Sequence, residues 1–410
     1  MQTVALLALA VGLIDATAPF KLPIARKRAP TKEDLDVSLV KFTIGRSATT
    51  GSLSAPLTNG GLGNYFYSSL IVGGNSEAQS VCFDTGSSDT WVIGSTCTAD
   101  SQGGCTPNEV GSVVVNSNFV TTGVKGQTLY GTGTYGVNYT IYNTTVTYGT
   151  ATATNLPVGL ATYLFGGMSG FGILGMGWND ISQIASDLDA ASKYPASANP
   201  IHNANFLDHL GLSLFGVYIN EDNVNGEVSF GYLDSSKYPT GSTFQYFPVT
   251  SFTYDGGVSA NGWWQFIPSQ VTISHASKSG KVSSLSYTSY ASQTPTGVSI
   301  ADSGTPELVF VTSAATTINK WLYSKYNANV GTIPCTGNSL TITLTSSPGG
   351  AAVAYSIPYS LLALADGGVC YSLISGGAES IGFTIYGAPF FQSVYSAFDK
   401  LNSRLGFVPL

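Results

Sequence analysis

Short apolar runs separated by glycine, asparagine and serine recur along most of the chain. The runs are rich in Val, Ile, Thr, Tyr and Phe, the residues that favour extended strands. They predict strands at residues 66–72, 81–83, 90–93, 113–115, 137–146, 214–219, 227–230, 265–273 and 341–345. Helical periodicity occurs at residues 181–192, 203–210 and 314–326. The pattern therefore predicts a protein that is mainly β-sheet.

The composition supports this prediction and bounds the number of domains. The 410 residues suit two domains of about 150–200 residues each, and 43% of them are hydrophobic. Only 10% are charged, which disfavours long amphipathic helices and excludes a disordered chain or a coiled coil. With 16 Lys and Arg against 23 Asp and Glu, the chain has a net negative charge, which argues against a nucleic-acid partner.

The N-terminus has the pattern of a targeting signal. An uncharged apolar run covers residues 4–14 and is followed by Ala-Thr-Ala at 16–18. This predicts a secretory signal peptide over residues 1–18, with a short buried strand as the alternative. No later segment reaches about 18 uninterrupted apolar residues, and the C-terminus has no lipid-anchor pattern. We expect a secreted, extracellular protein without a membrane anchor, in which Asn138 and Asn143 are candidate glycosylation sites.

Residues 19–50 differ in charge from the rest of the chain. Seven bases lie between residues 19 and 46, whereas the first 46 residues contain four acids. The remainder of the chain holds nine bases and 19 acids. A basic leader in front of an acidic body predicts a detachable pro-segment over residues 19–50 that neutralises the body until it is processed. A solvated basic tail is the alternative.

The five cysteines fit an oxidising compartment. Cys97 and Cys105 would close a short polar loop, and Cys335 and Cys370 a longer one, although other pairings stay open. Cys82 lies in an apolar run that predicts a buried strand. We interpret it as a small buried hydrophobic residue and not as a reactive thiol.

One motif occurs twice in matching surroundings. In the first half, an apolar run leads into Asp-Thr-Gly-Ser within residues 81–87, and Gly-Ile-Leu-Gly follows at 172–175. In the second half, an apolar run leads into Asp-Ser-Gly-Thr within residues 298–305, and Thr-Ile-Tyr-Gly follows at 384–387. The repeat predicts a duplicated β-lobe.

Two aspartates held face to face can do chemistry that one cannot. Both carboxyl groups cannot ionise cheaply at short distance, so one keeps its proton while the other is charged. Such a pair can activate a water molecule as a general base and polarise a carbonyl group as a general acid. Asp84 and Asp302 are far apart in the sequence, so only a two-lobed fold with pseudo-twofold symmetry would bring them together.

These motifs resemble those of the pepsin-like aspartic endopeptidases of the fungal secreted type. The resemblance covers residues 60–410 and is most specific at 84–92, the first catalytic motif, and at 302–305, the second. Leu-Tyr-Gly-Thr-Gly at 129–133 is similar to the family's flap, and residues 172–177 are similar to the strand behind the first aspartate.

The resemblance implies an all-β, bilobal fold in which two pseudo-twofold-related lobes enclose a cleft. It places Asp84 and the flap in an N-terminal lobe over residues 51–240 and Asp302 in a C-terminal lobe over 241–410. It also implies disulfides in the two cysteine pairs given above, and a monomeric protein whose pro-segment inhibits it, with Lys21 or another base facing the aspartates.

The site residues also follow from the resemblance. Asp84 and Asp302 would be catalytic. Support for the two carboxyl groups would come from Thr85, Gly86, Ser87, Ser303, Gly304 and Thr305. The flap and substrate pocket would be formed by Tyr130, Gly131, Thr132, Trp91, Leu164, Phe165 and Ile173. Trp91 falls at the position that hydrogen-bonds the flap tyrosine, and Leu164 and Phe165 are alternatives for one pocket position.

Three positions depart from the family pattern. Pro306 stands where a hydroxyl residue is usual, which removes a hydroxyl and a backbone N–H near the groove. Ala388 and Phe171 stand where the family usually has aspartates. None of the three replaces Asp84 or Asp302, so catalysis stays the leading interpretation.

The predicted function is therefore that of a secreted aspartic endopeptidase that cleaves polypeptides at acid pH beside large apolar residues, without a cofactor or metal. A catalytically weakened binding protein with the same fold is one alternative, and a secreted carbohydrate-active β protein is a weaker one. The glycine pattern at residues 131–136 also matches a dinucleotide fingerprint. It is followed by an alternating β pattern and not by a helix, which disfavours a nucleotide site.

Overall fold

A computed structural model describes most of the chain after residue 52. The described residues are 53–59, 66–101, 104–105, 111–131, 133–168, 171–192, 201–220, 226–253, 259–276, 282–288, 298–322, 325–327, 330–366 and 369–410. The predicted signal peptide and pro-segment, including Lys21, lie outside these residues, and so does Thr132 of the predicted flap.

Strands dominate the described residues, as the apolar pattern predicts. They are β1 (Leu53–Asn59), β2 (Phe66–Val72), β3 (Gln79–Asp84), β4 (Thr90–Ala99), β5 (Val120–Tyr130), β6 (Tyr135–Tyr148), β7 (Ala151–Phe165), β8 (Gly172–Gly175), β9 (Leu214–Ile219), β10 (Gly226–Phe230), β11 (Gln245–Pro248), β12 (Phe252–Thr253), β13 (Ser259–Ala260), β14 (Gln265–Phe266), β15 (Gln270–Ala276), β16 (Val282–Thr288), β17 (Val298–Ala301), β18 (Leu308–Phe310), β19 (Lys325–Asn327), β20 (Val330–Thr332), β21 (Ser339–Thr345), β22 (Ala352–Pro358), β23 (Ala363–Asp366), β24 (Val369–Ser372), β25 (Ile374–Gly376), β26 (Phe383–Tyr386), β27 (Val394–Asp399) and β28 (Arg404–Pro409).

The helices of the described residues are short. They are α1 (Gln183–Ala191), α2 (Phe206–His209), α3 (Thr312–Leu322), α4 (Tyr359–Leu362), α5 (Ala378–Ile381) and α6 (Ala388–Phe391), with a 3₁₀ turn at Asn179–Ile181. In this part of the chain no helix has the length and apolar character needed to cross a membrane.

Two of the predicted strands differ in the structure. The predicted strand at 265–273 is divided into β14 and β15, and Pro268, which has no N–H donor, lies in the gap between them. The predicted strand at 113–115 is reduced to a single bridge between Val113 and Gly94.

The duplicated lobe predicted from the repeated motif is present in the strand pairing. In the first half, β3 runs parallel to β8, which pairs antiparallel with β4. In the second half, β17 runs parallel to β26, which pairs antiparallel with β18. The same three-strand arrangement thus occurs twice, with an aspartate at the corresponding end of β3 and after β17.

The two halves are joined by the last strands of the chain. The hairpin of β27 and β28 pairs with β9 on one side and β11 on the other, within a sheet that continues to the flap strands. The indole nitrogen of Trp264 donates to the carbonyl oxygen of Met176 at 2.9 Å, and the rings of Phe215 and Phe398 stack at 4.5 Å. The fold is all-β and bilobal, as predicted.

Both implied disulfides are present. Cys97 is bonded to Cys105 and Cys335 to Cys370, with Cα–Cα separations of 5.9 and 5.4 Å. Cys82 is buried and unbonded, and burial raises the pKa of its thiol well above the usual range. A neutral buried thiol agrees with the interpretation of Cys82 as a hydrophobic residue.

Candidate active site

The structure brings the side chains of Asp84 and Asp302 together. Asp84 is the last residue of β3, and Asp302 directly follows β17. Backbone hydrogen bonds hold both residues: the N–H of Met176 donates to the carbonyl of Asp84 at 2.7 Å, and the N–H of Asp302 donates to the carbonyl of Tyr386 at 3.1 Å. The side chains are only 7% and 9% exposed.

The second residue of each motif reaches across to the other half of the chain. The Thr85 hydroxyl donates to the carbonyl of Ala301 at 2.8 Å and accepts from the N–H of Ser303 at 3.0 Å. The Ser303 hydroxyl donates to the carbonyl of Phe83 at 2.7 Å and accepts from the N–H of Thr85 at 3.0 Å. Thr85 and Ser303 therefore bond to backbone and not to the carboxylates that they were predicted to support.

The third and fourth residues of each motif do hold the carboxyl groups. The Gly86 N–H donates to Oδ1 of Asp84 at 2.7 Å, and the Ser87 hydroxyl donates to Oδ2. In the second half, the Gly304 N–H donates to Oδ1 of Asp302 at 2.8 Å, and the Thr305 hydroxyl donates to Oδ2 at 2.6 Å. Each aspartate thus receives one backbone and one hydroxyl donor.

The two glycines let the carboxyl groups approach each other. A Cβ atom on Gly86 would lie 2.4 Å from Cγ of Asp302, and a Cβ atom on Gly304 would lie 2.4 Å from Oδ1 of Asp84. Both distances are shorter than any ordinary contact. Each glycine therefore faces the opposite carboxyl group, which only a residue without a side chain permits.

The electrostatics of the pair follow from this closeness. Burial raises the pKa of Asp84 well above its usual range, and the adjacent Asp302 carboxylate raises it further through charge repulsion and a hydrogen bond between the two side chains. The donors from Ser87 and Gly86 oppose this shift. At moderately acid pH the pair can therefore hold one proton and one negative charge.

The predicted flap is the hairpin of β5 and β6. Tyr130 and Tyr135 pair at its tip, and the turn between them includes Gly131 and Gly133 with φ of 56° and 80°. Only glycine adopts this left-handed backbone without strain. The indole N–H of Trp91 donates to the hydroxyl of Tyr130 at 2.7 Å, the contact that the resemblance implies.

An apolar cluster lies beneath the flap. It contains Trp91, Leu164 and Ile173, and the ring of Tyr130 packs against it. Phe165, the alternative to Leu164, instead stacks on Tyr163 at 6.2 Å. Of the two alternatives, the structure brings Leu164 to this cluster.

The three departures from the family pattern have local structural roles. Ala388 is buried and its N–H donates to the carbonyl of Thr305 at 2.9 Å, while Phe171 packs edge-on against Tyr67 at 4.6 Å. Pro306 follows Thr305, whose hydroxyl still reaches Asp302. All four motif donors to the two carboxyl groups are present beside these substitutions.

Comparison with known proteins places the chain in a family. The model of the eukaryotic aspartyl proteases matches residues 65–410. The chain belongs to the eukaryotic aspartyl protease family. It is an aspartic-type endopeptidase, a hydrolase of peptide bonds.

Two relatives and one structure illustrate how far this aspartyl protease has diverged. It is 28% identical to penicillopepsin-1 of Penicillium roqueforti, over 81% of this chain and 75% of that protein. It is 25% identical to rhizopuspepsin-2 of Rhizopus niveus, over 99% and 97%. An aspartic proteinase from Irpex lacteus has a similar fold, with a TM-score of 0.58 and 22% identity over 88% of this chain and 97% of that one.

The candidate glycosylation sites of this aspartyl protease both lie on β6. Asn138 accepts a hydrogen bond from Gln127 at 2.8 Å on an exposed part of the flap hairpin. The side-chain oxygen of Asn143 is buried and has no hydrogen-bond partner among the residues that the structure describes. Of the two, Asn138 has the more open surroundings.

Asp89 is a buried carboxyl group that sequence analysis missed. It is 3% exposed and accepts from the Ser182 hydroxyl at 2.5 Å and from the N–H groups of Gln183 and Ile184 at 3.0 and 3.3 Å. It thereby binds the N-terminus of α1. Burial raises the pKa of Asp89 to about 6, although these donors oppose the shift. The signal for this buried carboxyl group in the sequence was its position directly before the apolar strand β4.

Asp89→Asn is expected to make the stability of the protein less dependent on pH between about pH 4 and pH 7. Because the folded carboxyl holds its proton more tightly than the unfolded one, stability falls as pH rises from about 4 to about 6. Asparagine cannot ionise, so the variant avoids a loss of at most about 3 kcal/mol. Urea unfolding at pH 4 and at pH 7 measures the difference.

The matched control for this prediction is Asp234→Asn. Asp234 is partly exposed, and hydrogen bonds from Ser236 lower its pKa, so its replacement should not reduce the loss of stability between pH 4 and pH 7. An Asp89→Asn variant whose urea midpoint falls as far between pH 4 and pH 7 as that of the native protein would contradict the assignment.

Proposed function

We propose that this aspartyl protease hydrolyses peptide bonds with a water molecule activated between Asp84 and Asp302. The observation that carries the proposal is the approach of the two carboxyl groups, each across the glycine of the opposite motif. The symmetrical donors from Gly86, Ser87, Gly304 and Thr305 support it, because they hold both groups in matching orientations.

The chemistry needs one ionised and one protonated carboxyl group. The ionised group takes a proton from the water as the water oxygen bonds to the carbonyl carbon, and the protonated group gives its proton to the carbonyl oxygen. The resulting tetrahedral diol breaks its C–N bond when the nitrogen takes the proton that the first group had removed from water and one hydroxyl gives its proton to the second group, which restores the starting state of the pair. No covalent intermediate forms with the protein, and the two groups titrate as a unit.

The substrate in this proposal is an extended polypeptide with large apolar residues around the cut. The apolar cluster of Trp91, Leu164 and Ile173 beside Tyr130 supports this preference, because it offers a hydrophobic wall beneath the flap. The flap turn can close over a bound chain because its glycines tolerate a wide range of backbone angles.

We extend the proposal to the maturation of the protein. In this scheme it is made as a secreted precursor, and the basic residues of 19–50 occupy the acidic cleft at neutral pH, with Lys21 or another base facing the carboxyl pair. Acid protonates the carboxylate partners and releases the leader. The opposite charges of leader and body and the two disulfides support this scheme.

Peptide hydrolysis is expected to peak in acid and to disappear as the shared proton leaves. Because burial and Asp302 raise the pKa of Asp84, the proton should be retained to a higher pH than on an isolated aspartate. At very low pH both groups are protonated and the general base is lost. The logarithm of kcat/KM should therefore be bell-shaped against pH, and a rate that climbs steadily to neutral pH would contradict the mechanism.

The proposed function is tested by digestion of denatured haemoglobin or casein with purified, acid-treated protein. Cleavage that a statine-type inhibitor blocks is the expected result, since the inhibitor's hydroxyl occupies the place of the attacking water. Tight binding of the inhibitor without cleavage would instead support a binding protein that has lost catalysis. Release of reducing sugar from glycans without peptide cleavage would support a carbohydrate-active protein.

A further inference from the structure

Helix α1 lies against the flap and has no assigned role. It follows β8, the strand behind Asp84, and packs against β5 and β7. Its apolar residues Ile184, Ala185 and Leu188 belong to the same cluster as Trp91 beneath the flap. The helix is therefore placed between the strands that carry the catalytic motif and the hairpin that covers it.

Asp187 on this helix contacts the flap through the hydroxyl of Tyr139, which in turn contacts a second flap hydroxyl. The Tyr139 hydroxyl, on β6, donates to Oδ2 of Asp187 at 3.0 Å. The same hydroxyl lies 3.1 Å from the hydroxyl of Thr128 on β5, two residues before Tyr130. Gln183, one turn earlier on the helix, donates to Oδ1 of Asp187 at 2.7 Å. Both strands of the flap are thus connected to one carboxyl group.

The shape of the flap strand fits this carboxyl group. Residues 126, 128 and 130 of β5 lie on the same face, the less exposed one. Gly126 touches the helix at this face, and a Cβ atom there would lie 1.9 Å from Oδ2 of Asp187. Any side chain at 126 would push the carboxyl group off the strand, so Gly126 makes the contact possible.

Helix α1 is also bonded to the segment that follows the first aspartate motif. Asp89, five residues after Asp84, binds the first turn of α1 as described above. Two residues further on, Trp91 donates to the hydroxyl of Tyr130. The flap tyrosine is therefore held from β4 by Trp91, and its strand is held from α1 by the contacts of Asp187.

We propose that Asp187 is a positioning residue that holds the flap over the carboxyl pair through Tyr139 and Thr128. The inference rests on the proposed function, since it concerns the hairpin that would close over substrate. Burial raises the pKa of the Tyr139 hydroxyl well above its usual range, so the group remains a hydrogen-bond donor at every pH of interest. Loss of the contact should loosen the flap without altering Asp84 or Asp302.

Asp187→Ala, Tyr139→Phe and the double variant test the proposal. Each single variant is expected to speed hydrogen exchange of the backbone amides of residues 120–130 by about tenfold and to raise KM for a peptide by a similar factor, with kcat changed less than about twofold. The effects of the two single variants should be less than additive in the double variant, because both break the contact between Tyr139 and Asp187. Asp187→Asn should keep exchange and KM close to their native values, since the asparagine oxygen can still accept from Tyr139.

Glu77→Ala is the matched control, because it removes a carboxylate that is exposed in the turn after β2. It should leave flap exchange and KM as in the native protein. Unchanged exchange and KM in Asp187→Ala, or effects that add in the double variant, would overturn the proposal. If Asp187→Ala does not fold, Tyr139→Phe tests the same contact and keeps the ring in place.

The exchange measurement separates this inference from the proposed function. Faster exchange of the flap amides in a protein that cleaves no peptide would support the positioning role and contradict the proposed function. Full peptide cleavage with unchanged exchange in both variants would support the proposed function and contradict the positioning role of Asp187.

Discussion

Asp302→Asn is expected to abolish peptide hydrolysis while the protein stays folded. The asparagine oxygen can still accept from the Gly304 N–H and its NH2 group can donate to the Thr305 hydroxyl, but asparagine can neither share a proton with Asp84 nor take one from water. Because general acid–base catalysis contributes roughly 10² to 10⁴ in rate, we expect kcat to fall at least about a thousandfold. The measurement is the rate of cleavage of a fluorogenic peptide at the acid optimum.

Asp302 is the more informative of the two aspartates because its motif departs further from the family pattern. Glu227→Gln is a suitable control, because Glu227 is not part of the carboxyl pair. Its side chain forms an ion pair with Lys237, in which the charged atoms are 3.3 Å apart. The control should retain full activity. An Asp302→Asn variant that kept a tenth or more of the native rate would remove Asp302 from the mechanism, and circular dichroism would show whether a loss reflects unfolding.

Gly304→Ala is expected to inactivate the enzyme through the other carboxyl group. The added Cβ atom would lie 2.4 Å from Oδ1 of Asp84, so that group must move or the loop that carries Asp302 must shift. A displacement of about 1 Å at a reacting group can cost about a hundredfold in rate. We expect a loss of at least that size, with about 1–3 kcal/mol of lost stability from overpacking.

Gly241→Ala separates the effect on the site from the effect on stability. Gly241 has φ of 83° but open space around its Cβ position, so alanine there adds backbone strain without a collision. It should cost some stability and leave kcat unchanged. Gly86→Ala, which faces Asp302 in the same way, should behave like Gly304→Ala. Full activity in either of these two variants would contradict the close approach of the carboxyl groups.

The flap shows where local sequence signals fail. The second flap strand, β6, has alternating apolar residues and was predicted almost to its ends. The first flap strand, β5, is rich in Gly, Thr, Lys and Gln and was not predicted, because these residues do not favour strands on their own. Its pairing with β6 and its contact with α1 stabilise it instead.

The sequence by itself determined the class of fold and the chemistry of the site. Alternating apolar residues specify strands through local packing, and the two motifs carry within four residues the carboxyl group, the glycine and the hydroxyl that hold it. The strands and motifs are local features, so a short stretch of chain contains the information. The contact of Trp91 with Tyr130 was implied by the resemblance to the family.

Only the tertiary structure decided which groups meet across the molecule. Thr85 and Ser303 are 218 residues apart, and their crossed hydrogen bonds exist because the two lobes face each other. Asp89 and Asp187 become functional candidates only when α1 docks beneath the flap, since burial and partners come from distant strands. A carboxyl group has no such property until the fold removes its water and supplies its neighbours.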